Sequence, residues 1–466
     1  MRKYLSCILV LLLLLSLVGC TPEAPAVSIP NEETSAVSEE TSTPDEPEAS
    51  EENAESEKRE EPESSQVEPE TDPIDVPQET EKLGHIQLLK KQHHLHEWSD
   101  DTESWLVWSE HSTVSLTDEA SKDYPELAKA LEELAVMQSR TMEYEFDDLL
   151  YAAKEQVNLS GPENYNTKIS KLETVVRRAD SLVVSLLWDS CLDTGMINGM
   201  KSLSAVNYDP MTGEKLAITQ VIKSMEKLPD AVAKALNSRA WAGFQDYSSA
   251  VEEYFGRTAA EDISWTLDYS GVSLYFGDGD LEEPGNGCLV ATINFAEHPE
   301  LFVEKYMAVP EAYSMELDLD SSYFTDLDGD EIADELNVTG FFSCSDMFFS
   351  KIGVYSQADG SYVYEDIVTE GIHPYYVKTA EGGHYIYLFC EQNDGPFPQM
   401  YLRIYDVSGG KVNSIGEKNM GPAYVSEKTI RVPNDPEKLF LDDYDGALQD
   451  AMSYTVGVDG IPELIH

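Results

Sequence analysis

"TVVRRADSLVVSLLWDSCL", Thr174 to Leu192, is the stretch on which the fold turns. Valine, leucine and tryptophan dominate it, and such β-branched and large apolar residues suit a pleated, half-buried surface, so it reads as strand. "SLSAVNYDPMTGEKLAITQVI", Ser202 to Ile222, continues as strand broken by a turn at Asp209 to Gly213. Upstream, "SWLVWSEHSTVSL", Ser104 to Leu116, is another strand pattern. Between these strands, Asp123 and Glu126 make a capping-box-like start with Pro125 in the first turn. Leu127, Leu131, Leu134, Met142, Phe146, Leu149, Leu150 and Ala153 then recur mostly at three- and four-residue intervals. That spacing predicts one long helix to about Gln156, burying a single stripe.

Farther along, helical patterns over about Lys223 to Leu236, with a break near Pro229, and over Asp246 to Phe255 precede the strand pair "SWTLDYSGVSLYFGDGDL" and "GCLVATINF". A short helix begins at His298-Pro299. Residues 83–305 are therefore expected to form an α+β domain, an antiparallel sheet with a long helix. From about Glu311 the character changes. "SKIGVYSQADGSYVYEDIV", "HYIYLFCEQ" and "MYLRIYDVSGGKVNSIG" alternate apolar and polar residues, with turns at Asp359-Gly360 and Gly409-Gly410, so 306–466 reads as a mostly antiparallel β domain. The first and third of these resemble each other at a spacing near fifty residues. Two copies are too few for a propeller, which leaves a small sandwich or sheet. The tyrosines of this half read as packing.

The chain has 466 residues and a formal charge of -57. A surface that acidic repels phosphate backbones and attracts basic proteins and divalent cations, which excludes nucleic acid as a partner. "MRKYLSCILVLLLLLSLVGC", residues 1–20, places Arg2 and Lys3 before an apolar run too short for a membrane helix, then small residues before Cys20. The pattern resembles a bacterial lipobox, which implies cleavage before Cys20, lipidation of its sulfur, and a chain held on the outer face of the cell membrane. Residues 21–82 are Glu, Ser, Pro and Thr with hardly an aromatic, a disordered acidic tether with a reach on the order of 200 Å.

"RRADSLVVS", "NYDPMTGEKLAITQVI" and "GVSLYFGDGDLEEPGNGCLVATINF" resemble the successive landmarks of a domain of unknown function. That domain occurs in the extracellular half of lysozyme-sensing, RsiV-type anti-sigma factors and beside the catalytic module of some peptidoglycan deacetylases. The likeness spans roughly residues 100–305. It implies an α+β ectodomain and, by extension from those relatives, a lysozyme-type ligand. It carries no enzyme over, because the deacetylase metal motifs are missing. In "TGMINGM" this chain has Asn198 where many relatives have a histidine.

Candidate chemistry is sparse. In "FTDLDGDEIADEL", Phe324 to Leu336, Asp326, Asp328, Asp330 and Asp334 take positions 1, 3, 5 and 9 of a calcium loop, and the Ile332 carbonyl takes position 7. Position 6, normally glycine, is Glu331, and position 12 is Asn337 rather than glutamate. Because a strand follows directly, the pattern is similar to the short aspartate-rich loops of extracellular β-domains. The competing reading is an empty acidic turn. "HHLHE", His93 to Glu97, has metal-ligand spacing but adjoins the tether, so it reads as an exposed, neutral cluster. Cys191, Cys288, Cys344 and Cys390 lack C-x-x-C spacing, and their pairing is open. No hydrolase motif is present. The expected function is a non-catalytic binding or sensing lipoprotein of the cell wall, calcium-stabilised, with lysozyme, another basic protein or wall fragments as ligand. The alternative is a wall-modifying hydrolase with an unrecognised carboxylate site.

Overall fold

The stretch from Thr174 to Leu192 lies within the largest sheet of the described residues, in the fourth and fifth of its six strands. In the computed structural model it supplies the second half of β3 (Lys168–Ala179) and nearly all of β4 (Val184–Asp193), which pair antiparallel. They follow β1 (Leu88–Ser99), β2 (Ser104–Leu116) and helix α1 (Pro125–Ser160), and precede β5 (Met200–Tyr208). The structure describes residues 83–465 except 196–198, 240–245, 320, 344–347, 359, 370, 393–398, 423–428 and 442–451. Cys20, the tether, Asn198, Cys344 and Asp359 thus lie outside the described residues. The described residues all fall in one compact unit, Gln78–His466.

Helix α1 runs from Pro125 in its first turn to Gly161, whose positive φ of 86° ends it. The predicted stripe is buried at Leu127, Leu131, Leu134, Met142, Leu149 and Ala153. The helix crosses from β2 to β3, and these two strands pair parallel. A parallel pair needs such a crossover, whereas the other pairs of this sheet are antiparallel.

The expected break near Pro229 is present as a change from a 3₁₀ turn at Met225–Lys227 to α2 (Leu228–Arg239), with Pro229 in the first turn of α2, where its missing N–H costs nothing. Two expectations are corrected. Residues after the Asp209 turn do not continue as strand. Asp209 Oδ1 accepts from the N–H groups of Met211 and Thr212, and the chain then forms a single helical turn at Ile218–Val221. The "HHLHE" stretch is the middle of β1, paired residue by residue with β2, and does not belong to a mobile segment.

Helix α3 (Ser248–Arg257) and strands β6 (Ser264–Leu267), β7 (Gly271–Phe276) and β8 (Leu289–Asn294) build a second core with α2. In the last third, β9 (Tyr313–Glu316), β10 (Tyr323–Thr325), β11 (Asp334–Ser343), β12 (Phe348–Ser356) and β13 (Tyr362–Thr369) come first. They are followed by β14 (Gly371–Lys378), β15 (His384–Gln392), β16 (Gln399–Asp406), β17 (Asn413–Pro422), β18 (Thr429–Arg431) and β19 (Leu439–Leu441). These make a sheet in the order β10-β11-β12-β13 and another in the order β17-β16-β15-β14-β9. The fold is mostly-β α+β with mostly antiparallel sheets.

The sequence position near 305 is crossed by more than the chain. Strand β18 adds to the edge of β1, and one core joins Leu88, Leu127 and Leu186 to Tyr387, Leu402 and Leu439. The "RRAD" landmark is buried at the same junction. Pairing of β3 with β4 slips at Val176/Arg178, a bulge, and Arg177 and Arg178 are both interior. Arg177 donates to Asp268 Oδ2 (2.8 Å) and to the Glu316 carbonyl (3.1 Å). Arg178 donates to Asp180 Oδ2 (2.7 Å) and to the carbonyls of Tyr306 (2.9 Å) and Ala308 (3.1 Å). These bonds tie the β3 bulge to the segments at Asp268, Tyr306 to Ala308 and Glu316.

Candidate functional site

Along β1, alternate side chains face one side of the sheet, so Lys90, Gln92, His94 and His96 form a row. Lys90 is the buried end of it, only 2% exposed. Its ammonium donates to Glu316 Oε1 (2.8 Å) and Oε2 (2.9 Å) and to Glu173 Oε1 (2.9 Å). Glu316 Oε2 also accepts the Val176 N–H (3.0 Å), and Glu173 Oε2 accepts from Gln92 (3.2 Å). His373 Nδ1 lies 3.9 Å from each carboxylate. Four elements, β1, β3, β9 and β14, thus converge on one charged cluster.

Burial works against the Lys90 charge, but Glu173 and Glu316 outweigh it and raise its pKa above the ordinary lysine value. Burial likewise opposes ionisation of Glu173, yet Lys90, with His373 and Gln92, lowers its pKa. The cluster is therefore a lysine held cationic between carboxylates. Glu173, Glu316 and His373 have ligand atoms close enough to hold a metal, within 4.8 Å of one another, but the Lys90 ammonium bridges the two carboxylates itself. Beside it is a cavity of about 90 Å³, walled largely by Tyr375, Phe389, Met400, Met420, Phe440 and Leu441. At about 30 Å³ per water it has room for on the order of three waters.

The aspartate-rich stretch is the hairpin loop between β10 and β11, where Thr325 pairs with Asp334. It is not a helix-loop-helix hand. Asp326 accepts the N–H groups of Gly329 (2.7 Å) and Glu331 (3.0 Å), Asp328 that of Asp330, Asp330 that of Ile332, and Asp334 that of Leu327 (2.9 Å). Glu331 adopts φ 68°, the left-handed turn a calcium loop uses at this position, although it is not glycine. Asp326, Asp328 and Asp334 come together with oxygens within 4.8 Å of one another, while Asp330 is not part of that group. Burial, then Asp328, Asp330 and Asp326, raise the Asp334 pKa against the pull of the Leu327 N–H. Each of the three brings one carboxylate oxygen to that group, while Asp326 and Asp334 also accept N–H bonds from the loop itself. The Ile332 side chain is exposed.

His93 stacks on His111 at 4.5 Å, and His96 stacks on Trp108 at 5.4 Å, with Trp105 edge-on. Trp98 and Trp105 are direct cross-strand partners. These histidines pack the hairpin. His111 is held well below the usual histidine range, at about 4, by burial and by His93 and His94. None of Cys191, Cys288 and Cys390 forms a disulfide with another.

Sequence reasoning missed the Lys90 cluster, because its members stand at positions 90, 173, 316 and 373 with no local motif. No family model matches the chain, and no curated protein matches it. Among solved structures it is similar to a member of the DUF3298 family from Bacteroides fragilis NCTC 9343, with 13% identity and a TM-score of 0.35 over 47% of this chain and 95% of that one. It is also similar to a DUF3298 family protein from Pseudomonas aeruginosa PAO1, with 16% identity and a TM-score of 0.31 over 47% of this chain and 96% of that one.

Proposed function

We propose that this protein is a non-catalytic binding or sensing lipoprotein, anchored through Cys20 on the outer face of the cell membrane and extended into the cell wall by its acidic tether. The reading joins the lipobox-like start to the RsiV-type ectodomain resemblance. What supports the non-catalytic part is the occupancy of the converging carboxylates. Acid-base cleavage of a sugar bond needs one protonated carboxyl facing one free carboxylate. Here Lys90 bonds to both Glu173 and Glu316, and Glu173 is pushed toward the ionised form. The neighbouring cavity of about 90 Å³ also falls below the usual size of a small-molecule site, about 300 Å³ and upward.

Its ligand in this reading is a basic protein of the lysozyme type, steered by the strong negative charge. Calcium held by Asp326, Asp328 and Asp334 stiffens the β10–β11 loop. Titration calorimetry with lysozyme tests the ligand at low and at physiological salt. A complex that survives physiological salt is expected. Heat that vanishes on adding salt would reduce the interaction to nonspecific charge attraction and refute the reading.

A further inference from the structure

Helix α1 carries a second stripe, opposite to the one it buries. Met137, Tyr144 and Tyr151 are spaced by seven residues, and seven residues at about 100° each fall only about 20° short of two full turns. They therefore line up along about 21 Å of helix. All three are exposed, Met137 by 46%, Tyr144 by 71% and Tyr151 by 72%. Val136 and Leu159 on the same helix are exposed as well. The d-type positions beside this row are Glu133, Arg140, Asp147 and Lys154, so it is a narrow apolar strip bordered by charges that a second helix can cover.

We propose that this face is an isologous interface, joining α1 to α1 of a second copy, antiparallel about a two-fold axis at Tyr144. The charge pattern selects that occupant. A two-fold perpendicular to both helices brings together residues on the same flank of the stripe at nearly equal distances, within about one position, on either side of Tyr144. Met137 then meets Tyr151, and Tyr144 meets itself. Arg140, exposed and without an ion pair among the described residues, meets Asp147 of the second copy. Glu133 meets Lys154, two exposed side chains whose present contacts are loose, at 4.0 Å to Lys129 and 3.7 Å to Glu97. On the other flank, Asp148 and Glu155 face the neutral Thr141 and Ala130. A parallel pairing would set Arg140 against Arg140 and Asp147 against Asp147. One flaw remains, because Glu155 comes beside Glu133 of the second copy.

The whole chain is acidic, so distant charges repel while the seam attracts. At about 0.15 M salt the screening length is about 8 Å, which removes the distant term and leaves the contacts. Self-association is thus expected to strengthen with salt, the opposite of an ionic complex with a basic ligand. This inference stands apart from the ligand reading above.

The test is sedimentation equilibrium of the full-length protein in density-matched detergent, at low and high salt, together with oxidative cross-linking. A weak dimer that tightens with salt is expected, at least tenfold weaker in Tyr144→Glu and unchanged in Tyr362→Glu, an exposed control. Tyr144→Cys should cross-link to itself faster than Tyr362→Cys, and Met137→Cys should cross-link with Tyr151→Cys but not with itself. A monomer at every concentration overturns the proposal, including one in which the chain's own N-terminal segment protects Tyr144 from labelling. So does a dimer indifferent to Tyr144→Glu.

Discussion

Replacing Lys90 by methionine removes one charge and leaves two carboxylates facing an interior. Glu316 is 2% exposed and keeps the Val176 N–H and a Tyr375 side-chain hydrogen bond, with His373 Nδ1 at 3.9 Å, while Glu173 is partly open to water and can rehydrate. Removing one partner of a buried pair costs about 3–5 kcal/mol, and most of that falls on Glu316. A destabilisation of about 4 kcal/mol is therefore expected at pH 7.5. Pairing the change with Glu316→Leu should recover most of the loss, since an apolar pair replaces an unsatisfied charge. In a chain of this length global unfolding is not safely two-state. Native-state hydrogen exchange of β1, β3, β9 and β14 is the better assay, because those strands meet at the cluster. If Lys90→Met leaves their protection within about 1 kcal/mol of the wild type, or if the double variant is no better than the single, the cluster is not the clamp described here.

Calcium should raise the melting temperature, and Asp326→Ala with Asp328→Ala should abolish that rise; identical melting in calcium and in chelator would leave the loop an acidic turn. His111 and His384, both held near 4 by burial, are neutral in the folded protein and charge readily when unfolded. The unfolded chain therefore binds more protons as pH falls from about 6.5 to 4, and stability should drop over that window by about 3 kcal/mol for each histidine. Measured melting that is flat from pH 7 to pH 4.5 would refute this. Arg178→Met should unfold the protein or leave it aggregated, because Asp180 and the carbonyls of Asp268, Tyr306 and Ala308 lose a buried donor; a soluble variant melting like wild type would contradict that role. A fragment ending at residue 305 should fail to hold exchange protection in β1, which would lack β18 as a neighbour and Glu316 as a partner for Lys90.

How much of this was legible depended on whether the signal was local. Strand β2 was readable to its ends, because Ser104 to Leu116 is bounded by turn residues, and α1 was readable because its apolar stripe repeats over eight turns. The aspartate loop was readable for the same reason, since its spacing lies within ten residues. The histidines were misjudged through a boundary error. His93 to Glu97 follow a long polar segment, and only the cross-strand partners His111, Trp108 and Trp105, in another segment, show them packed. The break near Pro229 was readable because proline cannot continue a helix interior, although the sequence alone does not say that Pro229 opens the second segment rather than ends the first.

The Lys90 cluster shows the remaining limit in physical terms. Each member alone has an ordinary explanation: a lysine beside a second lysine, a glutamate in an alternating strand, a glutamate ending "YSME", a histidine before a proline. Their meaning is a property of net charge in a confined space, which exists only once β1, β3, β9 and β14 are brought together. A lone buried lysine would shed its proton, and lone buried carboxylates would take one up. Held within 2.9 Å of one another, they instead fix opposite charges in place, which costs desolvation and is recovered only if every element is correctly placed. That is the behaviour of a device for specifying one arrangement of two halves of a chain. The same locking occupies both carboxylates of this cluster, so neither is left free there.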